Sequence, residues 1–143
     1  ADPRTRKNVE KINQSIKMRD FWMPFAPIVL EEFQDTLLEN PKKIESPFMT
    51  MTFNTKDGEK KMPAAVHQSD ETTRAQLLQK NQNPVLWELI FKFYEKTKIP
   101  ALLNTSFNLH GEPIVNSVQD AIRVFEKSEL EVLWLNNHII EKQ

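Results

Sequence analysis

Apolar side chains recur along this chain at spacings that predict helices. Residues 5–17 carry them every three or four positions among Lys, Arg, Asn and Gln, which predicts a surface helix. A second helix is predicted behind Asn83 and Pro84, because an N-cap residue and a proline at the first helical position precede another apolar stripe. Ser117, with Asp120 three residues later, predicts the start of a third.

Extended segments are predicted between these helices. They are a strand after Pro27, a hairpin of strands 48–53 and 62–67 around Asp57-Gly58, a buried strand at 101–103 behind Pro100, and a hairpin of strands 130–135 and 138–140 through Asn136-Asn137. Short helices or helical turns are expected at 31–39 and 72–81. Strands and helices therefore interleave, which is typical of an α/β fold.

Composition narrows the functional classes. The 143 residues are enough for one domain with a core. The 19 basic and 20 acidic residues give a net charge of -1, so no positive field favours non-specific nucleic-acid binding. The absence of cysteine excludes a disulfide, a thiolate nucleophile and a cysteine-ligated metal.

The chain also lacks the hydrophobic segments used for targeting. Charged or polar residues interrupt every apolar stretch, and the first residues carry no apolar run like that of a signal peptide. A soluble, cytoplasmic protein with no membrane partner is the expectation. Because the chain opens at Ala1 rather than Met, two origins are open, a processed product or a piece of a longer protein.

Two cations flank Met18 near the end of the first helix. In an extended stretch Lys17 and Arg19 project to the same side, and Pro24 stiffens the segment that follows. That arrangement suits a phosphate or carboxylate. The alternative is a solvated helix end, in which Lys17 favours the negative end of the helix dipole.

A polar segment, Asn104-Thr105-Ser106-Phe107-Asn108, follows the predicted buried strand. Ligands of open α/β sheets collect at the carboxyl ends of strands, so these side chains suit a binding site. Alternation along an extended chain predicts that Asn104 and Ser106 face one side while Phe107 packs in the core. The alternative is an ordinary loop in which Asn and Ser bond their own backbone.

Other polar residues give weaker signals. His67, Asp70 and Arg74 follow the predicted strand 62–67, where His67 reads more readily as a loop histidine than as a catalyst. The histidines lack metal-ligand spacing, so no protein-bound metal is predicted. The chain has two glycines, too few for a glycine-rich phosphate loop, so side chains would have to hold any nucleotide.

Taken together, a series of segments resembles the C-terminal domain of carbamoyltransferases of the nodulation-protein-U type, which include antibiotic O-carbamoyltransferases. In family order they are Ala1-Asp2-Pro3-Arg4, Lys17-Met18-Arg19 with Trp22, Pro24-Phe25-Ala26-Pro27, Val29-Leu30-Glu31-Glu32, Pro63-Ala64, His67, Thr73-Arg74-Ala75-Gln76, Asn83-Pro84, Leu103-Asn104-Thr105-Ser106-Phe107-Asn108, Gly111-Glu112-Pro113-Ile114-Val115 and Asp120-Ala121. The resemblance covers nearly the whole chain, and the segment from Leu103 to Val115 is the most specific.

The resemblance implies a YrdC-like α/β fold, a twisted mixed sheet with flanking helices, as one nucleotide-binding domain over 1–143. Its Lys-x-Arg and Thr-Ser-x-Asn segments would face one pocket. The residues implied as catalytic are Lys17, Arg19 and Arg74, and those implied as binding ATP or carbamoyl-adenylate are Arg4, His67, Asn104, Ser106 and Asn108. Lys17, Arg74, Asn104 and Ser106 are accordingly expected to border one cavity.

The implied reaction uses ATP, with magnesium as its substrate complex, and carbamoyl phosphate. An oxygen of carbamate, or one derived from carbamoyl phosphate, attacks the α-phosphorus and pyrophosphate leaves. The carbamoyl group of the resulting carbamoyl-adenylate then passes to a hydroxyl in an N-terminal actin-like domain. That domain is expected to be absent from this chain. An apolar face is therefore expected to be exposed and to favour self-association, with Phe21, Trp22 and Phe25 as its candidate residues. Lys17→Ala and Arg74→Ala are each expected to weaken binding of ATP or carbamoyl-adenylate while leaving the fold intact.

The sequence departs from the family pattern at Met23, at His110 and over 68–71, which leaves the fine substrate contacts open. An alternative function is a non-catalytic nucleotide-binding or docking module. A third, RNA binding, is opposed by the near-neutral charge and the lack of a basic and aromatic patch.

Overall fold

Each of two structural units is assembled from two stretches that are separate in sequence. The computed structural model describes residues 1–18, 20 and 23–142. One unit comprises Ala1–Val9 and Trp22–Thr105, and the other comprises Glu10–Phe21 and Ser106–Gln143.

The described residues contain four α-helices: α1 Lys7–Ile12, α2 Gly58–Lys61, α3 Pro84–Thr97 and α4 Val118–Lys127. A π-helical turn, Asn13–Lys17 (the π-turn), continues α1, and 3-10 turns lie at Glu31–Thr36 and Pro63–Ala65. In the described part of the chain, no helix has the length and apolar character needed to cross a membrane. The three predicted helices are confirmed.

Eight short strands lie in the described residues: β1 Ala26–Leu30, β2 Leu38–Glu39, β3 Phe53–Thr55, β4 Thr72–Thr73, β5 Gln76–Leu78, β6 Ala101–Asn104, β7 Val132–Leu135 and β8 His138–Glu141. They form sheets of order β5-β1-β6, β2-β3-β4 and β7-β8. In the first sheet β1 pairs with β5 in parallel and with β6 antiparallel. The predicted mixed sheet with flanking helices is therefore confirmed.

The core of the first unit lies between this sheet and α3. Ile28, Leu30 and Leu78 from the sheet and Ile90 from α3 are buried together. Alongside them Trp87 stacks on Phe91, with ring centroids 4.9 Å apart. Both rings are partly buried and pack against this cluster.

Two N-caps fix where the longer helices begin. Asn83 Oδ1 accepts a hydrogen bond from the Leu86 amide at 3.1 Å. Ser117 Oγ accepts one from the Asp120 amide at 3.1 Å and donates to the Asp120 carboxylate at 2.7 Å. Both predicted N-caps are confirmed. They could be predicted because each involves residues within one helical turn.

The predicted hairpin of strands 48–53 and 62–67 is wrong. The first strand begins only at Phe53, since Met49 adopts a left-handed conformation with φ 56° that interrupts extended backbone. Over 62–67, Pro63 opens a 3-10 turn, in which the Ala65 amide bonds the Met62 carbonyl at 2.9 Å.

The helix predicted at 72–81 is also wrong, because β4 and β5 occupy that segment. Thr72 and Thr73 pair with β3, and Gln76–Leu78 joins β1. The turn predicted over 31–39 is helical to Thr36 and then becomes β2. Pairing with distant strands outweighs local preference in these short segments.

The second unit is built on α4 and the β7-β8 hairpin. Ala121, Phe125 and Leu133 form its buried cluster, and Phe107 packs against them while only partly buried. Asn136 turns the predicted hairpin with φ 50°.

Gly58→Ala should destabilise the first unit. A Cβ at this position would lie 2.7 Å from Thr55 Cβ and 2.8 Å from Val66 Cγ2, and both neighbours are stiff β-branched residues. Overpacking of this kind costs roughly 1–3 kcal/mol, whereas alanine gains at most about 1 kcal/mol in helix propensity. Urea denaturation measures the difference. Lys60→Ala, at an exposed position of the same helix, is the control and should change little; equal stability of Gly58→Ala and the parent chain would contradict the packing.

Candidate functional site

A buried lysine organises the second unit. Lys17 ends the π-turn and is 4% exposed. Its Nζ donates to the Ser106 carbonyl at 2.5 Å, Ser106 Oγ at 2.9 Å, Asn108 Oδ1 at 2.6 Å and the Asn108 carbonyl at 3.3 Å. The structure thus brings together three of the residues that the sequence resemblance assigned to a site, and it gives Lys17 a structural part that the sequence did not predict.

The loop around this lysine is tied down by its own side chains. Ser106 Oγ donates to Asn108 Oδ1 at 2.7 Å, and Asn108 Nδ2 donates to the Glu112 carbonyl at 2.8 Å. The Glu112 carboxylate pairs with Arg123 of α4 at 2.6 Å. The polar groups of 106–112 are therefore held in fixed positions, as a binding loop requires.

His110 holds the end of the π-turn. Its amide donates to the Ile16 carbonyl at 2.8 Å, and its Nδ1 lies 2.8 Å from the Lys17 carbonyl. A carbonyl only accepts, so Nδ1 carries the hydrogen and Nε2 of the neutral ring is the acceptor. Sequence reasoning did not include His110 in the site, since no spacing reveals a bond between residues 93 positions apart.

A cavity of about 360 Å³ lies in the first unit. Two predicted site residues, His67 and Arg74, line it, and we call it the His67–Arg74 cavity. The other lining residues are Met23, Pro24, Phe25, Ala26, Thr52, Ala65, Asp70, Thr72 and Thr73. The cavity therefore combines an apolar wall with hydroxyl groups and a guanidinium.

A carboxylate orients the histidine of this cavity. His67 Nδ1 lies 3.2 Å from Asp70 Oδ1 and 3.1 Å from Ser69 Oγ. The Thr72 amide and then its hydroxyl donate to Asp70 and hold the pKa of that carboxyl below its ordinary value. An imidazole held by an ionised carboxylate at Nδ1 keeps Nε2 available to accept a proton or, when protonated, to bind an anion.

Besides His67, three predicted site residues lie in the first unit, and each has different contacts. Within the described part of the chain Arg74 is exposed and makes no ion pair or side-chain hydrogen bond, so its charge is available to a ligand. Arg4 is held by Asp2 at 2.7 Å and lies over the Phe93 ring. Asn104 Nδ2 donates to Gln76 Oε1 at 2.7 Å.

The predicted exposed aromatic residues and the predicted shared cavity remain to be compared with the structure. Phe25 is 3% exposed, so the prediction that it lies on an exposed face is wrong. Arg19, Phe21 and Trp22 lie outside the described residues. Lys17 and Ser106 belong to the second unit, whereas Arg74 and Asn104 belong to the first. One cavity shared by all four stays a prediction.

Comparison with known proteins assigns the sequence to a family. The family model for the carbamoyltransferase C-terminus matches residues 1–142. The chain belongs to this family. The resemblance drawn from its sequence segments is therefore confirmed, and a single family model spans both units.

Three proteins that are similar to this chain show how much of each relative it matches. The uncharacterized protein MJ1051 of Methanocaldococcus jannaschii is 46% identical over 138 residues, which are 96% of this chain and 26% of that protein. The nodulation protein NolNO of Sinorhizobium fredii is 40% identical over 100% of this chain and 21% of its own length. The nodulation protein NolO of Bradyrhizobium diazoefficiens is 37% identical over 100% of this chain and 26% of its own length. The chain spans about a fifth to a quarter of these relatives.

Two substitutions of His110 should distinguish the roles of its two ring nitrogens. His110→Asn retains a donor near the Nδ1 position, so the bond to the Lys17 carbonyl should persist. His110→Gln places its polar atoms near Nε2 and should lose that bond. Hydrogen exchange of the Met18 amide, which closes the π-turn on the Asn13 carbonyl, should accelerate in the Gln variant only. The same exchange rate in both variants would contradict an anchoring role for Nδ1.

Proposed function

We propose that this chain forms carbamoyl-adenylate from ATP and a carbamoyl donor, as the C-terminal part of an O-carbamoyltransferase. The observation that carries the proposal is Arg74 in the His67–Arg74 cavity, a guanidinium without a protein partner among the described residues. Membership of the carbamoyltransferase C-terminus family supplies the reaction class.

The His67–Arg74 cavity suits a nucleotide in size and character. Its volume of about 360 Å³ falls in the ordinary range for small-molecule sites. The wall from Pro24 to Ala26 offers apolar surface for a base or ribose. Arg74, and His67 when protonated, offer donors for phosphate oxygens. In a chain with two glycines, side chains of this kind replace a glycine-rich phosphate loop.

The proposed reaction takes place among negatively charged phosphate oxygens, so it needs cations nearby. Water first hydrolyses carbamoyl phosphate, which releases phosphate and gives carbamate. A carbamate oxygen then forms a bond to the α-phosphorus of ATP. The bond between that phosphorus and the oxygen bridging to the β-phosphate breaks, and pyrophosphate leaves. Magnesium bound to ATP neutralises part of this charge, and Lys17, Arg19 and Arg74 are the proposed cationic residues.

Lys17 has a second part in this proposal. Its ammonium is bound by oxygens of Ser106 and Asn108, which fixes the loop that resembles the family's Thr-Ser-x-Asn segment. The Ser106 hydroxyl and the Asn104 and Asn108 amides are the proposed ligands of phosphate or carbamoyl oxygens. Lys17→Ala is therefore expected to loosen this loop as well as to remove a charge.

The second half-reaction needs groups beyond this chain. An acceptor hydroxyl attacks the carbamoyl carbon, loses its proton, and AMP leaves. We propose that an N-terminal actin-like domain of a longer protein supplies the acceptor pocket. The chain alone is then expected to carbamoylate no hydroxyl acceptor.

Pyrophosphate release tests the proposed half-reaction. The chain is mixed with ATP, magnesium and carbamoyl phosphate, and pyrophosphate is measured against a reaction without carbamoyl phosphate. Release that depends on carbamoyl phosphate is the expected result. ATP binding without release would instead favour a non-catalytic nucleotide-binding module, and an absence of ATP binding would contradict both functions.

Arg74→Ala should weaken ATP binding without loss of stability. One charge-assisted bond to phosphate is lost, and a loss of about 1.4 kcal/mol corresponds to a tenfold higher Kd. Thermal unfolding should not change, because Arg74 bonds no other described side chain. Lys92→Ala, which removes one positive charge from an exposed position on α3, is the control. Calorimetry that gives the same Kd for Arg74→Ala and the parent chain would remove the cavity from the proposal.

A further inference from the structure

The side chain of Asn13 is buried without a hydrogen-bond partner. Asn13 is 4% exposed. Within the described residues neither its Nδ2 nor its Oδ1 makes a hydrogen bond, although both atoms are closed off from solvent. These are the only buried side-chain atoms of the described residues that lack one. Sequence reasoning gave Asn13 no functional part.

Folding alone does not account for an asparagine here. A buried amide that loses its bonds to water and gains none in return destabilises the folded state. Leucine has the same branched outline without polar atoms and would fill the position at lower cost. An unsatisfied buried polar group in a folded protein therefore calls for an explanation, and a functional role is one of them.

The π-turn sets where this amide lies. The Met18 amide bonds the Asn13 carbonyl at 2.6 Å, which is the five-residue spacing of a π-helix. At that spacing a residue and the one four positions later lie on the same side of the turn. Asn13 therefore shares a side with Lys17, whose ammonium binds Ser106 and Asn108. Single π-helical turns also occur frequently at functional sites.

We propose that the Asn13 carboxamide binds the carbamoyl group of the substrate. A carbamoyl group carries one C=O and one NH₂, and so does a carboxamide. The two pair through two hydrogen bonds, in which Nδ2 donates to the carbamoyl oxygen and the carbamoyl nitrogen donates to Oδ1. Both Asn13 atoms are closed off in this state, so the residues over them must move when the ligand enters. This inference rests on the proposed function and adds the group that recognises the carbamoyl nitrogen.

Acetyl phosphate provides a matched probe, because a methyl group replaces the NH₂ of carbamoyl phosphate. The methyl group cannot donate to Oδ1 and leaves it unsatisfied. The parent chain should therefore bind carbamoyl phosphate at least tenfold more tightly than acetyl phosphate in calorimetric titrations. Asn13→Leu should remove this preference, leave the Kd for ATP unchanged and raise the unfolding temperature. Gln14→Leu, at an exposed position of the same π-turn, should keep the preference.

Two results would overturn the assignment. Asn13→Leu that unfolds at a lower temperature would show that an internal water or a structural contact satisfies the amide. An equal preference for carbamoyl phosphate in Asn13→Leu and the parent chain would place carbamoyl recognition elsewhere. If the parent chain still releases pyrophosphate, either result would overturn only the assignment of Asn13 and not the proposed function. A parent chain that does not bind ATP would contradict the proposed function itself.

Discussion

An ammonium group that is removed from water must be surrounded by oxygen atoms, and Lys17 meets this requirement through a loop nearly 90 residues further along the chain. Its acceptors on Ser106 and Asn108 include two main-chain carbonyls, so the bonds fix backbone as well as side chains. His110 then bonds back to the Lys17 carbonyl, which closes the contact from both sides. The bonds that solvate one buried charge thus help to fix the conformation of residues 106–110, within the most family-specific segment of the sequence.

Features of the fold that depend on neighbouring residues could be predicted from the sequence. The N-caps at Asn83 and Ser117 act within one helical turn, and the strand at 101–103 is marked by an apolar run behind a proline. Segments whose partners are distant could not. The strands in 72–78 exist because β3 and β1 accept them, and nothing local distinguishes them from a helical turn.

The candidate site divides in the same way. The resemblance supplied Lys17, Ser106 and Asn108, which the structure brings into contact, and His67 and Arg74, which line one cavity. Residue types alone gave neither the anchoring by His110 nor the unsatisfied amide of Asn13, because both are defined by atoms from separate parts of the chain or by burial. The candidate site residues therefore lie on short segments and contribute side chains, not a glycine-rich backbone loop.

The π-turn also makes the chain length between α1 and Lys17 a determinant of the contacts around Lys17. A π-helical turn contains one residue more than an α-helical turn, so removal of one residue from 13–16 would allow the α-helix to continue to Lys17. Lys17 would then be rotated by about 100° around the helix axis, since an α-helix has 3.6 residues per turn. Insertions and deletions are therefore constrained in this short stretch more tightly than substitutions, a constraint that exposed loops do not share.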